Sequence, residues 1–189
     1  MFKERIIEKN PLHLKCLNHI SMQCRSVEES IDFYCNVLGF APIQRPGCFD
    51  FDGAWLFNYG IGIHLIKSED PDGMPKVEQI NPKDRHISFQ CESMETVEKK
   101  LREMKIGYVN GRVVEGGVAV DQLFFHDPNG SMIEVCNCEN IPVVVLDNGG
   151  DAIRGSSIAN SNNGVERDRQ YKFVKQRQPQ IHRTVCDTI

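Results

Sequence analysis

Four side chains stand out because their types bind metals while their immediate neighbours do not. His19 lies in Leu17-Asn18-His19-Ile20 and His86 in Asp84-Arg85-His86-Ile87, whereas His64 and Glu134 interrupt the apolar runs Ile63-His64-Leu65-Ile66 and Met132-Ile133-Glu134-Val135. A carboxylate lodged among apolar residues is costly to bury unless it is hydrogen-bonded, paired or bound to a cation. Three imidazoles and one carboxylate make a borderline donor set that suits Zn²⁺, Ni²⁺, Co²⁺ or Fe²⁺ better than Ca²⁺. Without His64, the remaining His19, His86 and Glu134 form a two-histidine, one-carboxylate set that leaves positions for water or substrate. Residues alone leave a second reading open, in which the four are merely buried polar groups.

What must position these side chains is an internal repeat. The segment Leu17–Glu28 recurs as Asp84–Glu95, displaced by 86 − 19 = 67 positions, and its His-Ile-Ser-x-Gln-Cys core matches in five of six places. Each copy opens with a short alternating segment, which predicts a strand, and then changes to helical periodicity. Ser26 with Glu29 forms a capping box for a first helix with the stripe Val27, Ile31, Tyr34 and Leu38, stopped by Gly39. Ser93 caps a second with the stripe Val97, Leu101 and Met104, ending near Gly107. Three strand-like segments follow each helix, about 41–45, 54–59 and 62–67 in the first copy and 108–114, 119–126 and 131–138 in the second. Asp127-Pro128-Asn129-Gly130 supplies the turn between the last two. The fold class expected is therefore α+β, with two βαβββ modules over about 13–67 and 84–138 joined by the linker 68–83. Within a strand the side-chain period is two, so His19, Ser21 and Gln23 share one face, and His86, Ser88 and Gln90 share another. The intervals to the last-strand intruders agree approximately, 64 − 19 = 45 and 134 − 86 = 48.

Composition narrows the function class. The chain has 189 residues and a formal charge of −4, which gives no electrostatic footprint for nucleic acid. No run approaches the roughly 20 apolar residues of a membrane span, and the first residues lack a secretory signal, so a cytoplasmic location is expected. The eight cysteines are scattered, which predicts mostly free thiols rather than a disulfide framework. Cys136-x-Cys138 lacks the spacing of a structural zinc site, and both cysteines are expected to follow Glu134 on one strand face as small buried residues. Trp55, Phe57, Phe124 and Phe125 are expected in the core, and Lys15, Arg25 and Arg85 on the solvated surface. His13, His126 and His182 are not favoured as ligands. Residues 1–12 form an N-terminal arm, 13–146 the folded domain, and 147–189 a polar tail too poor in branched and aromatic residues to fold.

Over residues 13–146 these segments, with Glu29-Ser30-Ile31-Asp32-Phe33-Tyr34, Leu38-Gly39-Phe40 and Asp127-Pro128-Asn129-Gly130, resemble the vicinal-oxygen-chelate superfamily, which includes glyoxalase I, fosfomycin-resistance thiol transferases and extradiol dioxygenases. The sequence looks most like plant glyoxalase-I-like proteins of the lactoylglutathione lyase family. The resemblance implies paired βαβββ modules, a curled mixed sheet around a metal cleft, and His19, His64, His86 and Glu134 at the positions of the metal ligands. It allows a homodimer, since members build the cleft within one chain or between two. Glyoxalase I enzymes carry glutamate where this chain has His64. The activity implied is methylglyoxal detoxification, a stress response: glutathione, as cosubstrate, forms a hemithioacetal with methylglyoxal, which the enzyme converts to S-lactoylglutathione. Glu134 would be the catalytic residue, acting as general base and then acid. A thiol transferase, a ring-cleaving dioxygenase and a non-catalytic metal or small-molecule binding protein are the alternatives within the same scaffold.

Overall fold

The computed structural model describes residues 10–115 and 117–141. The arm up to residue 9 and the tail from residue 147, including His182, lie outside the described residues. The chain divides into two compact units, Met1–Val77 with Asp127–Gly130, and Glu78–His126 with Ser131–Ile189. Among the described residues no helix is long and apolar enough to cross a membrane.

The first unit runs β1 (His19–Cys24), α1 (Val27–Asn36), β2 (Ala41–Ile43), β3 (Gly53–Asn58) and β4 (Ile61–Lys67). The second repeats the order as β5 (His86–Gln90), α2 (Met94–Glu103), β6 (Tyr108–Glu115), β7 (Val118–His126) and β8 (Met132–Cys136), followed by a 3₁₀ turn over Cys138–Asn140. Their sheets have the orders β1-β4-β3-β2 and β5-β8-β7-β6. In each, the first strand pairs parallel with the last and the remaining pairs are antiparallel. Parallel neighbours cannot be joined by a tight turn. A helix and two further strands supply the crossover.

Both helices start where the sequence places them. The Ser26 hydroxyl accepts from the Glu29 N–H and the Ser93 hydroxyl from the Thr96 N–H, each at 3.1 Å, satisfying a donor that the first helical turn leaves without a partner. The stops differ. Gly39 takes the left-handed conformation after α1 with φ +76°, whereas after α2 it is Lys105, at φ 58°, and not Gly107. Met104, expected in the apolar stripe, is 44 % exposed. Charged residues, Glu103 and Lys105, flank it.

Alternation places the core on one side of each sheet. Leu56, Ile63 and Leu65 are buried with Tyr34 and Phe40 in the first unit, and Leu123, Phe125, Ile133 and Val135 with Leu101 in the second. Each such side chain contributes about 1.5–3 kcal/mol by leaving water. Gly53 is needed where β3 crosses β4, because a Cβ there would strike the carbonyl oxygen of Leu65. The turn Asp127–Gly130 is part of the first unit. There Asp127 accepts from the Tyr34 hydroxyl at 3.1 Å, the Asn129 side chain accepts from the Arg25 N–H at 2.8 Å, and its amide donates to Ser30 Oγ at 2.9 Å. Arg25, expected to be merely solvated, also donates to the carbonyls of Met74 and Pro75 and so ties down the start of the linker.

Candidate metal centre

Register makes the repeat exact in space. Ser21 faces His64 across β1 and β4, and Ser88 faces Glu134 across β5 and β8. His64 therefore occupies in its sheet the place that Glu134 occupies in the other. The two intervals counted along the chain differ by three residues mainly because five residues, 127–131, join β7 to β8 where two, 59–60, join β3 to β4. The four expected ligands are brought together as two pairs, one in each unit.

In the second unit His86 Nε2 lies 3.1 Å from Glu134 Oε2. Glu134 is 4 % exposed, and its other oxygen, Oε1, accepts from the Gln122 amide at 2.6 Å. His86 Nδ1 lies 2.8 Å from the carbonyl oxygen of Asp84, which can only accept, so Nδ1 carries the proton. The tautomer leaves Nε2 facing a carboxylate. Two lone pairs cannot approach so closely without a positive centre between them, either a proton shared by the pair or a metal ion. Carbonyl anchoring of the far ring nitrogen is the arrangement that fixes a metal-ligating histidine. A neighbouring imidazole nitrogen and carboxylate oxygen at this spacing fit adjacent positions on a divalent cation, and this pair is suited to hold one. The edge of Phe124, centroid 5.8 Å away at 81°, limits the ring on its apolar side.

The first unit's pair is built differently. His19 is held like His86, its Nδ1 lying 2.8 Å from Asn18 Oδ1. Its ring, however, stacks on His64 with centroids 3.9 Å apart and planes 13° apart, and His64 in turn stacks on Trp55 at 4.2 Å and 2°. Imidazole lone pairs lie in the ring plane. Two planes so nearly parallel give one ion no position in both, so His19 and His64 do not chelate in these rotamers. Burial first, and then the neighbouring His19, hold the His64 ring below the ordinary imidazole pKa, which favours the uncharged form that stacks. Gly62 lies beside the pair, where a Cβ would come 3.1 Å from that of His19.

This face also carries Trp55 and Phe57, which with Phe49 and Phe51 line a cavity of about 550 Å³. Phe57 is 47 % exposed, so its expected place in the core is corrected, whereas Phe124 and Phe125 are buried as expected. The reason is strand parity: Leu56 takes the inward direction on β3, leaving Trp55 and Phe57 to point outward. The Arg45 guanidinium packs over Phe49 and Phe51 at 5.0 and 4.6 Å and donates to the Phe51 carbonyl, which orders the loop between β2 and β3.

The cysteines at the end of β8 also depart from expectation. Cys136 and Cys138 are joined by a disulfide, and Cys138 has left the strand for the 3₁₀ turn. The strand ends because Asn137 folds back, its N–H reaching the Asp121 carbonyl and its side chain accepting from the Asp121 N–H. Cys16, Cys24, Cys35, Cys48 and Cys91 are free thiols.

Sequence reasoning missed Gln122, Asn18 and Asp84. Gln122 was readable in principle: once the Asp127–Gly130 turn sets the hairpin, Phe124 faces Glu134, and Gln122 sits diagonally on the same face within reach of a long side chain.

Comparison with known proteins agrees with this architecture. Residues 16–135 match the model of the Glyoxalase/Bleomycin resistance protein/Dioxygenase superfamily. The chain belongs to that superfamily. Among relatives, the Arabidopsis thaliana protein named Glyoxylase I 4 is 64 % identical over 137 residues, spanning 72 % of this chain and 79 % of the relative. Superfamily members typically bind a divalent metal and small-molecule substrates. Two solved superfamily structures share the fold: a glyoxalase/dioxygenase from Nostoc punctiforme, 21 % identical, with TM-score 0.51 over 67 % of this chain and 92 % of its own; and a fosfomycin resistance protein from Listeria monocytogenes in complex with Mn(II) and a dihydroxypropylphosphonic acid, 14 % identical, with TM-score 0.52 over 65 % and 91 %.

Proposed function

We propose that the chain is a glyoxalase I-like isomerase that converts the hemithioacetal of methylglyoxal and glutathione into S-lactoylglutathione. The observation that carries this reading is the Glu134 carboxylate, buried, held at Oε1 by Gln122 and directed at His86 through Oε2. His19, His86 and Glu134, with His64 once it rotates out of its stack, are assigned to a divalent metal, Zn²⁺, Ni²⁺, Co²⁺ or Fe²⁺. When bound, that metal supplies Lewis acidity toward the two vicinal oxygens of the substrate.

The chain's own residues do the rest. Glu134 takes the proton from the carbon that bears the thioether and hydroxyl and returns it to the neighbouring carbon, while the hydroxyl proton passes to the former carbonyl oxygen, so the reaction is a redox-neutral isomerisation. Gln122 holds Oε1 and so fixes the direction of the carboxylate that moves the proton. Asp84 fixes the His86 tautomer. With His64 in place of a second carboxylate, Glu134 performs both transfers.

The test is thioester formation from methylglyoxal and glutathione by protein loaded in turn with each of the four metals. Activity abolished in Glu134→Gln, with metal content lost in His86→Ala and His19→Ala, is expected. No thioester under any loading rejects the isomerase, and unchanged metal content rejects the ligands.

A further inference from the structure

Beside the imidazole–carboxylate pair the second unit holds another donor set, made of sulfur. Ligand atoms of Glu134, Cys136 and Cys138 all lie within 4.8 Å of one another, with Glu134 and Cys136 buried and Cys138 half-buried. Glu134 and Cys136 point the same way because they are two residues apart on β8. Cys138 reaches them from the 3₁₀ turn. We propose that, with the disulfide reduced, the Cys136 and Cys138 thiolates and the Glu134 carboxylate form a site for one thiophilic divalent cation of the Zn²⁺ or Cd²⁺ kind, and that oxidation of the two cysteines closes it.

The disulfide is poorly placed to act as a staple. It spans a sequence separation of two, so it removes little chain freedom from the unfolded state. Its ends are fixed by other means: Cys136 is paired with Gln90 in the sheet, its carbonyl accepts from the Cys91 N–H, and Asn137 is bonded to Asp121 from both sides. The Ser88 hydroxyl lies 3.6 Å from Cys136 Sγ, a neighbour for a thiolate once one forms. Two thiolates and one carboxylate are softer donors than the nitrogen and oxygen of the neighbouring pair, so this set favours Cd²⁺ over Ni²⁺, Co²⁺ and Fe²⁺.

Opening the site is thiol–disulfide exchange. An external thiolate attacks the accessible Cys138 sulfur, Cys136 leaves as thiolate, and a second thiol resolves the mixed disulfide, so two thiols yield the protein dithiol and one external disulfide. The cation then replaces the two thiol protons. This site stands apart from the isomerase reading in one respect that the experiment uses: Cys138 has no part in proton transfer.

The test is Cd²⁺ titration of the full-length protein, reduced with a phosphine that is then removed, following the ultraviolet charge-transfer band of cadmium–thiolate bonds. One Cd²⁺ per chain at this site is expected. Loss of a group that merely orients a metal ligand already weakens metal binding about 10–100-fold, so loss of a thiolate in Cys138→Ser or Cys138→Ala, each in a background with Cys16, Cys35, Cys48 and Cys91 changed to Ser, should weaken it at least about 100-fold, and the same background with the disulfide oxidised should lose the high-affinity band. Glu134→Gln should keep the band and bind about 10-fold more weakly. A Cys138 variant, or oxidised protein, that binds Cd²⁺ with the reduced wild type's band and affinity overturns the site. Unaltered affinity in Glu134→Gln overturns its carboxylate ligand. Isomerase activity in the Cys138 variants tells failure of this site apart from failure of the isomerase.

Discussion

Replacing Glu134 by glutamine separates a working carboxylate from a merely structural one. In the metal-free protein Oε1 accepts from Gln122 at 2.6 Å, and Oε2 faces His86 Nε2 at 3.1 Å. A glutamine of the same shape keeps both contacts: its carbonyl accepts from Gln122, and its amide donates to the Nε2 lone pair of neutral His86, whose Nδ1 proton stays on Asp84. Charge is removed and no buried group is stranded. Since the change keeps both contacts and His86 is open to water, the chelator-treated variant should lie within about 1 kcal/mol of wild type. Glu134→Ala, by contrast, strands the part-buried Gln122 amide, while the exposed His86 turns to water, a loss of about 1–3 kcal/mol. Catalysis behaves differently, because removing a general base costs about 10²–10⁴-fold and loss of a metal ligand adds to it. The assays are urea unfolding of chelator-treated protein and thioester formation by the metal-loaded form. If Glu134→Gln is as unstable as Glu134→Ala, or turns over at the wild-type rate, the carboxylate is one half of a structural ion pair and the reasoning fails.

Three further outcomes follow from the same geometry. Tyr34→Phe removes the hydroxyl that Asp127 accepts from in a fully buried position, and should cost about 1–3 kcal/mol by denaturant unfolding; a change below the error of the method would show that the bond is idle. His64 titrates below the ordinary 6.5 through burial first and His19 second, so its contribution to stability is complete above that value and is lost as pH falls through the folded-state midpoint. Trp55→Ala uncovers the ring and should move its NMR midpoint upward; an unmoved midpoint would mean that the stack does not shield it. Gly53→Ala forces a methyl against the Leu65 carbonyl and should cost about 1–3 kcal/mol or more in unfolding free energy, with full stability refuting the close approach.

Element order and the paired character of the site were legible because a repeat exposes itself: the same His-Ile-Ser pattern can only mean equivalent strands, and Ser26 and Ser93 announce their helices through short-range hydrogen bonding. What escaped was decided by direction rather than by type. Whether Phe57 faces the core depends on the parity of β3, which Leu56 settles by being buried. The His64 stack depends on Trp55 standing opposite it in register, a relation between residues on adjacent strands. The left-handed turn falls on Lys105 two residues before the glycine that advertised it, because α2 exhausts its apolar stripe at Leu101. The disulfide depends on a strand ending two residues early, which an asparagine side chain and Asp121 bring about together.

The turn Asp127–Gly130 has a consequence for how the protein is made. Ser30, Tyr34 and the backbone of Arg25 find their partners in four residues that leave the ribosome about sixty positions after β4 is complete. Until those residues emerge, the N-terminal module is a nascent chain with its helix only partly anchored. A gene cut at the linker would encode a fragment that cannot complete its own interior, even though the boundary looks natural in the amino-acid text.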